Sequence, residues 1–306
     1  MQVKILGSAA GGGFPQWNCA CLNCARLRAG NFHGHARTQA QIAVRARGRS
    51  WCLINASPDL RTQIVSDPQF QPRRAPRDSP IAAVVLTGAD VDQVMGLLHL
   101  REFQPLRIYA GSAIQRILRE ENSIFRALEQ TQKQAKWETI CPGVRNELKS
   151  ADGESLNLEV LAISLGGSLP SYAGKEHGAG GDPDDAVVGL FIEADKVRLF
   201  CAPSLPRIDE GWLPEWDGCN AILIDGTFWS DDELLRTRGE VKTAREMGHL
   251  PISGGTLEAL TKLKRTRKIF YHVNNTNPIL DEESDEHARV VAAGWEIARD
   301  GMEIEL

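Results

Sequence analysis

Cys19, Cys21 and Cys24 stand within six positions of one another in the run Asn18 to Cys24, a spacing that lets one tight turn aim three sulfurs at a single ion. Zinc takes a tetrahedron and prefers thiolates to hard oxygen donors, so the cluster predicts a structural Zn2+ with a fourth ligand from elsewhere. Asp281, Asp300 and His287 are candidates for that ligand. Without an ion the same residues would be three reduced thiols beside a turn, and a nucleophilic cysteine would need a histidine, none of which is adjacent in sequence. A second group of residues ends apolar runs: Asp90 and Asp92 follow the run at 81–86, Asp225 follows 221–224, and His272 lies at the end of the run at 268–273. Carboxylates with a histidine suit a harder ion such as Fe2+ or Mn2+. Alternatively, Asp90 and Asp92 cap the exposed N–H groups of the turn after them. His249 adds a proton carrier. Gly11, Gly12 and Gly13 allow a close backbone approach to a ligand or a tight turn, but their surroundings match neither a Walker loop nor a dinucleotide-binding fingerprint.

These residues need a scaffold. Short apolar runs at 2–6, 41–44, 51–54, 81–86, 107–110, 156–163, 187–192, 196–201, 221–224, 268–273 and 302–304 predict strands. Helical patterns occupy 113–118, 232–237, 256–263 and 286–293, the third opening on Thr256 as its cap. Strands with interspersed helices predict an α/β protein with two packed sheets and helices outside. A single domain over 1–306 is expected, with a Gly-rich insertion near 166–185 that is too long for an ordinary connection and carries His177. The net charge of -5 and pI near 5.9 give no long-range attraction to nucleic acid, and the basic run Lys262 to Lys268 reads as a solvated helix end. No stretch reaches the ~20 apolar residues of a membrane span. The first residues are too short for a signal-peptide core, so a cytoplasmic protein with reduced or metal-bound cysteines is expected. Cys52, Cys141, Cys201 and Cys219 read as small buried hydrophobes.

The segment Thr87 to Leu98 resembles the metallo-β-lactamase motif Thr-His-x-His-x-Asp-His-x-x-Gly-Leu, with Gly88 and Asp90 at the first two histidine positions, Asp92 retained and Gln93 at the third. Asp225 matches the bridging aspartate of that fold, His272 its last metal histidine, His249 the extra histidine of the tRNase Z branch, and Asn55 the early aspartate. The whole chain is similar to the pyrroloquinoline quinone (PQQ) biosynthesis protein B family, through Gly7 to Cys21, Asn55 to Asp59, Asp225 to Thr227, Arg245 to Leu250 and Asn274 to Leu280.

The resemblance implies a metallo-β-lactamase-like four-layer αββα sandwich and a cytosolic role in building PQQ from a Glu and a Tyr of a small peptide. The ligand would be a small-molecule or peptide-derived PQQ precursor, with other pathway proteins as partners. Two activities follow from it. One is iron-dependent hydroxylation or oxidation of the tyrosine-derived precursor, with Asp90, Asp92, the next residue and His272 as metal ligands and His249, Asp92 and Asp225 in catalysis. The other is noncatalytic carriage of PQQ or its precursor toward the periplasm, with Gly11, Gly12, Gly13, Arg245 and Asn275 binding the molecule. The chain departs from the family at Gln93, where histidine is usual. Glutamine is a weak ligand, so of a two-histidine, one-carboxylate oxygenase set only His272 remains among the matched positions, with His177 as a loop-borne substitute. The histidine-rich cage of a zinc hydrolase is missing, so that activity is not expected.

Overall fold

A computed structural model describes residues 1–48, 50–131, 134–173, 184–239 and 242–306. His177 and residues 174–183 of the Gly-rich insertion lie outside the described residues. Fourteen strands are present among them: β1 (Gln2–Gly7), β2 (Gln41–Arg45), β3 (Trp51–Ile54), β4 (Ile81–Val85), β5 (Leu106–Ala110), β6 (Ala135–Thr139), β7 (Arg145–Lys149), β8 (Ser155–Ser164), β9 (Val188–Ala194), β10 (Val197–Ala202), β11 (Ala221–Asp225), β12 (Arg267–Tyr271), β13 (Trp295–Ile297) and β14 (Met302–Glu305). The chain divides into two compact units. One comprises Met1–Leu6, Gln41–Val197 and Glu303–Leu306, the other Gly7–Ala40 and Arg198–Met302. Among the described residues no helix is long and apolar enough to cross a membrane.

The first unit holds a seven-stranded sheet in the order β14-β1-β2-β3-β4-β5-β6 and the antiparallel ribbon β7-β8-β9. Strands β3 to β6 run parallel, and β3 and β4 are buried along nearly their whole length, which explains their continuous apolar sequence. Their carboxyl ends are tied together by Asn55, which adopts φ 63°. Its Oδ1 accepts from Thr87 N at 2.9 Å and its Nδ2 donates to Thr87 Oγ1 at 2.9 Å. Asparagine tolerates this left-handed backbone better than most residues. The core of this unit gathers Trp51, Phe70, Leu86, Ile108 and Phe125.

The second unit carries the parallel strands β13-β12-β11-β10. Phe270 stacks on Trp295 with centroids 4.0 Å apart. The helix Asp285–Ala292 matches the expected one, and its Ser284 cap accepts from His287 N at 3.0 Å. Thr256, by contrast, does not cap a helix: its Oγ1 is buried without a hydrogen-bond partner, and the 256–263 pattern breaks into the single helical turn Leu257–Ala259 and a 3-10 turn. Gly254 at φ 71° interrupts the helical path just before it.

Gly96 marks the tightest backbone approach in the first unit. Its N–H donates to Ala56 O at 2.8 Å, and a Cβ at this position would lie 2.1 Å from Ser57 O. Because the obstacle is backbone, relief requires moving the chain. Gly96→Ala is therefore expected to destabilise the fold by about 1–3 kcal/mol, read as a lower urea midpoint at unchanged m-value, whereas Gly143→Ala, whose Cβ would meet nothing within 4 Å, is expected to lose only the smaller cost of its positive φ.

Candidate metal centre

The register of β11 on β12 pairs Asp225 with Tyr271, so Asp225 and His272 emerge side by side at the carboxyl ends of parallel strands, the usual position of ligand sites in such sheets. Asp225 is fully buried. Its Oδ1 accepts from Thr227 N at 3.0 Å and Thr227 Oγ1 at 2.6 Å, and its Oδ2 from Leu205 N at 2.9 Å and His249 Nδ1 at 2.7 Å. Four donors match the roughly four acceptor positions of a carboxylate. Burial pushes this carboxyl up, but the positive charge that His249 carries when protonated, its hydrogen bond, the same charge on His272 and the bond from Thr227 outweigh it and hold Asp225 below the ordinary aspartate value.

The same network sets the imidazole tautomers. Thr227 has one hydroxyl hydrogen, and the 2.6 Å contact to the buried carboxylate is the charge-assisted bond that takes it. Thr227 Oγ1 then accepts from His272 Nδ1, 2.8 Å away, which leaves His272 Nε2 with a lone pair. His249 gives its Nδ1 hydrogen to Asp225, so in the neutral ring its Nε2 is likewise the unprotonated nitrogen. The two rings lie nearly parallel, 20° apart with centroids at 5.7 Å, and donor atoms of Asp225, His249 and His272 fall within 4.8 Å of one another. Such a set can hold a divalent transition metal. His272 adopts φ 62°, and its carbonyl faces Thr227 Oγ1 at 3.0 Å. Thr227 was not singled out in the sequence as a site residue; its signal was only its place two residues beyond Asp225.

Cys19, Cys21 and Cys24 converge as their spacing predicts, with their sulfurs within 4.8 Å of one another. A zinc tetrahedron with Zn–S bonds of about 2.3 Å has S···S edges of about 3.8 Å, within reach of this arrangement. Burial disfavours the Cys19 thiolate, but the Cys21 N–H and the contacts from Cys21, Asn275 and Cys24 draw its pKa below the ordinary value; burial pushes Cys21 up to about 11. The expected fourth ligands are engaged elsewhere. Asp281 pairs with Arg26, Asp300 accepts from Ser8 Oγ and Thr38 N at 2.7 Å, and His287 Nδ1 lies 2.9 Å from Ile279 O. Instead, the side-chain amide of Asn275 faces all three sulfurs. Cys52 and Cys201 are fully buried as expected, whereas Cys141 is exposed.

In the first unit, Asp90 immediately precedes the helical turn Val91–Val94 and Asp92 lies within it, but the Asp90 side chain makes no cap bond. Gln93 is buried, its Oε1 lacks a hydrogen-bond partner, and that oxygen stands 2.3 Å from where a Cβ on residue 88 would be. Glutamine and glycine thus share one space, and a side chain at 88 would displace the amide. From the described start of the Gly-rich insertion, the Tyr172 hydroxyl donates to Ala89 O. Burial, with the negative charges of Asp90 and Glu121, pushes Tyr172 up to about 12.

The family model of the beta-lactamase superfamily domain matches residues 50–273. Coenzyme PQQ synthesis protein B from Nitrosococcus oceani is 42% identical over 99% of both chains, and that from Pseudomonas paraeruginosa 43% over the full length of both. A crystal structure of Zn2+-bound PqqB from Methylobacterium extorquens superposes with a TM-score of 0.91 at 40% identity, covering both chains completely. The chain belongs to the coenzyme PQQ synthesis protein B family. Its fold is the metallo-β-lactamase fold, α/β with two mixed seven-stranded sheets flanked by helices. A diphosphatase of the PhnP family, at 17% identity and a TM-score of 0.67 over all of this chain and 97% of the other, shares that fold.

Other residues of this PqqB-family chain now have places. Gly12 and Gly13 take φ 93° and 71°, Gly12 N donates to Gln39 Oε1 at 3.0 Å, and Gly11 and Gly12 are exposed. Arg245 is exposed, and its N–H bonds Asp231. A 370 Å³ cavity lies beside the cysteine loop, lined by Cys21, Asn23, Trp229, Glu233 and Thr276. Glu233, which sequence reasoning missed, accepts from Trp229 N and Thr276 Oγ1. Burial outweighs those bonds and pushes it up to about 7. A folded-state pKa above the unfolded value means that the native state holds the extra proton, so this group's contribution to stability falls as pH rises from about 4.5 to about 7. Glu233→Gln is expected to raise Tm relative to wild type more at pH 8 than at pH 5; an equal shift at both would contradict the titration.

Proposed function

We propose that this protein carries out a metal-dependent oxidation of a tyrosine-derived precursor in PQQ biosynthesis, at a metal held by His249 and His272, while Cys19, Cys21 and Cys24 hold a structural zinc. The observation that carries this reading is the pair of nearly parallel imidazoles whose Nδ1 atoms are engaged by a network ending in a buried carboxylate, which makes Nε2 the nitrogen each ring can offer to an ion. Imidazole nitrogens suit a divalent transition ion such as iron(II), and Asp225 stands behind the two rings rather than on the ion. Family membership supports the pathway. The Zn2+ bound by PqqB from Methylobacterium extorquens supports metal binding.

Bound iron(II) would supply one-electron chemistry with dioxygen. Converting a ring C–H to C–OH consumes one O2, two protons and two electrons from a reductant of the ascorbate class, and releases one water. The chain's own residues act around that step. Asp225, saturated by four donors, orients His249 directly and His272 through Thr227, the role that carboxylates play behind metal-bound histidines. Thr227 keeps His272 in the tautomer that offers Nε2. His249, at the edge of the buried cluster and partly exposed, is the member placed to meet an incoming precursor.

The test is anaerobic iron(II) loading followed by oxygen uptake and product analysis with a tyrosine-containing precursor peptide and ascorbate. The expected result is one O2 consumed per hydroxylated product. His272→Ala should abolish iron binding, and Thr227→Val should weaken it by about 10–100-fold, as loss of an outer-sphere partner does, with zinc content unchanged. Asp92→Ala, measured alongside, tests the carboxylates that follow β4. Saturable precursor binding without oxygen uptake would replace this reading with that of a noncatalytic carrier.

A further inference from the structure

The 370 Å³ cavity beside the cysteine loop is lined by neither His249 nor His272. Its size is that of a small-ligand pocket, which combines an apolar wall with a few placed polar groups. Leu22, Trp229 and Pro278 supply the wall, and Arg289 stacks on the Trp229 ring at 4.9 Å. The buried polar groups include Glu233 and Asn23, which are 4% and 8% exposed. Asn23 Nδ2 donates to the carbonyls of Asn275 and Asn277 at 3.2 and 3.0 Å. Because a carbonyl only accepts, the surroundings fix which way this amide is turned. Its Oδ1 therefore points away from that segment, and it accepts no hydrogen bond from any described residue. Thr276, which lies between those two carbonyls in sequence, donates its hydroxyl hydrogen to Glu233 Oε1 and accepts from Asn274 Nδ2 at 2.6 Å. One residue thus links the two acceptors.

We propose that this cavity binds a primary ammonium group carried on an apolar stem, with Glu233 and Asn23 Oδ1 as its acceptors. The balance of charge favours a cation. Among the described lining residues Glu233 and Glu286 are acidic, and the single base, Arg236, is drawn to Ser230 Oγ at 2.6 Å and Asp232 Oδ1 at 2.9 Å. No described residue forms an ion pair with Glu233, although Trp229 N and Thr276 Oγ1 hold its two oxygens in place. Each carboxylate oxygen has room for a second donor, and an ammonium has three hydrogens to give. The desolvation of this carboxylate is already incurred in the free protein, so an arriving cation meets a fixed acceptor whose charge lacks a partner. The stem then lies against Trp229, Leu22 and Pro278. Two sources carry this chemistry: the lysine side chain of a peptide and a free arylalkylamine.

The test is an NMR titration of the isotope-labelled full chain with phenethylamine and with Nα-acetyl-lysine methylamide. The signal followed is the indole N–H of Trp229, identified by its loss in Trp229→Phe. Saturable movement of that signal is expected, with binding at least about tenfold tighter than that of the neutral counterparts, phenethyl alcohol and the Nε-acetylated lysine derivative. Glu233→Gln, which keeps the shape of the side chain and removes its charge, should weaken amine binding by about tenfold or more. His272→Ala should leave it unchanged, which separates this cavity from the histidine centre. Tighter binding of the lysine derivative identifies a peptide side chain as the source, and tighter binding of phenethylamine a free amine. Equal affinity for the charged and neutral compounds, full affinity in Glu233→Gln, or no saturable movement with either amine overturns the proposal. The comparison of charged with neutral compounds uses the wild-type chain and decides the matter even if a variant fails to fold.

Discussion

A carboxylate sealed from water must be matched donor for donor, and Asp225 is the position on which the second unit's chemistry depends. Leaving a buried charge unpaired costs several kcal/mol, so the four donors from Thr227, Leu205 and His249 come near to being required by its burial. Once they are present, little freedom remains. Thr227 must give its only hydrogen to the carboxylate, His272 must then give its Nδ1 hydrogen to Thr227, and His249 must give its own to Asp225. The face that the two imidazoles present is thus set by proton counting that begins at one buried oxygen pair.

The segment after β12 serves two sites. It starts at His272 with a left-handed backbone, returns through Asn274 N to Thr227 O at 3.1 Å, presents the Asn275 amide to three sulfurs, and closes with Asn277 bonding Gly226 and Thr227 carbonyls. Asparagine recurs because each position needs a short side chain able both to donate and to accept next to backbone. Thr276 completes the set by linking Asn274 to Glu233. A run that reads as polar loop composition is an interlocked set of hydrogen bonds.

What the sequence makes legible is local. Cys19, Cys21 and Cys24 are recognisable because one turn decides their convergence, and Asp225 and His272 because each follows an apolar strand. The pairing of His249 with Asp225 spans 24 positions and the Asn275 contact with Cys19 spans 256, distances over which no periodicity carries information. Hence the sequence suggests Asp281, Asp300 and His287 as zinc ligands, all good donors, whereas the structure commits them to Arg26, Thr38 and Ile279. The strands that escaped the apolar-run criterion are β6, β7 and β13, each at the end of its strand order. Edge strands carry charged and half-exposed residues, as Arg145-Asn-Glu-Leu-Lys149 does, and so lack the signal that marks buried ones.

Gln93 shows how a lost ligand can be structurally consistent. In the superfamily motif, positions 88 and 93 both carry histidine; here one is glycine and the other is a glutamine whose Oε1 occupies the volume over that glycine. A Cβ at 88 would lie 2.3 Å from Gln93 Oε1, so a histidine there requires the glutamine side chain to move. The two departures therefore share one volume. With those donors gone, a hydrolytic zinc cage of the superfamily type has no basis in the β4 turn, where Asp90 and Asp92 remain as hard oxygen donors. In the second unit the nitrogen donors are His249 and His272, backed by Asp225.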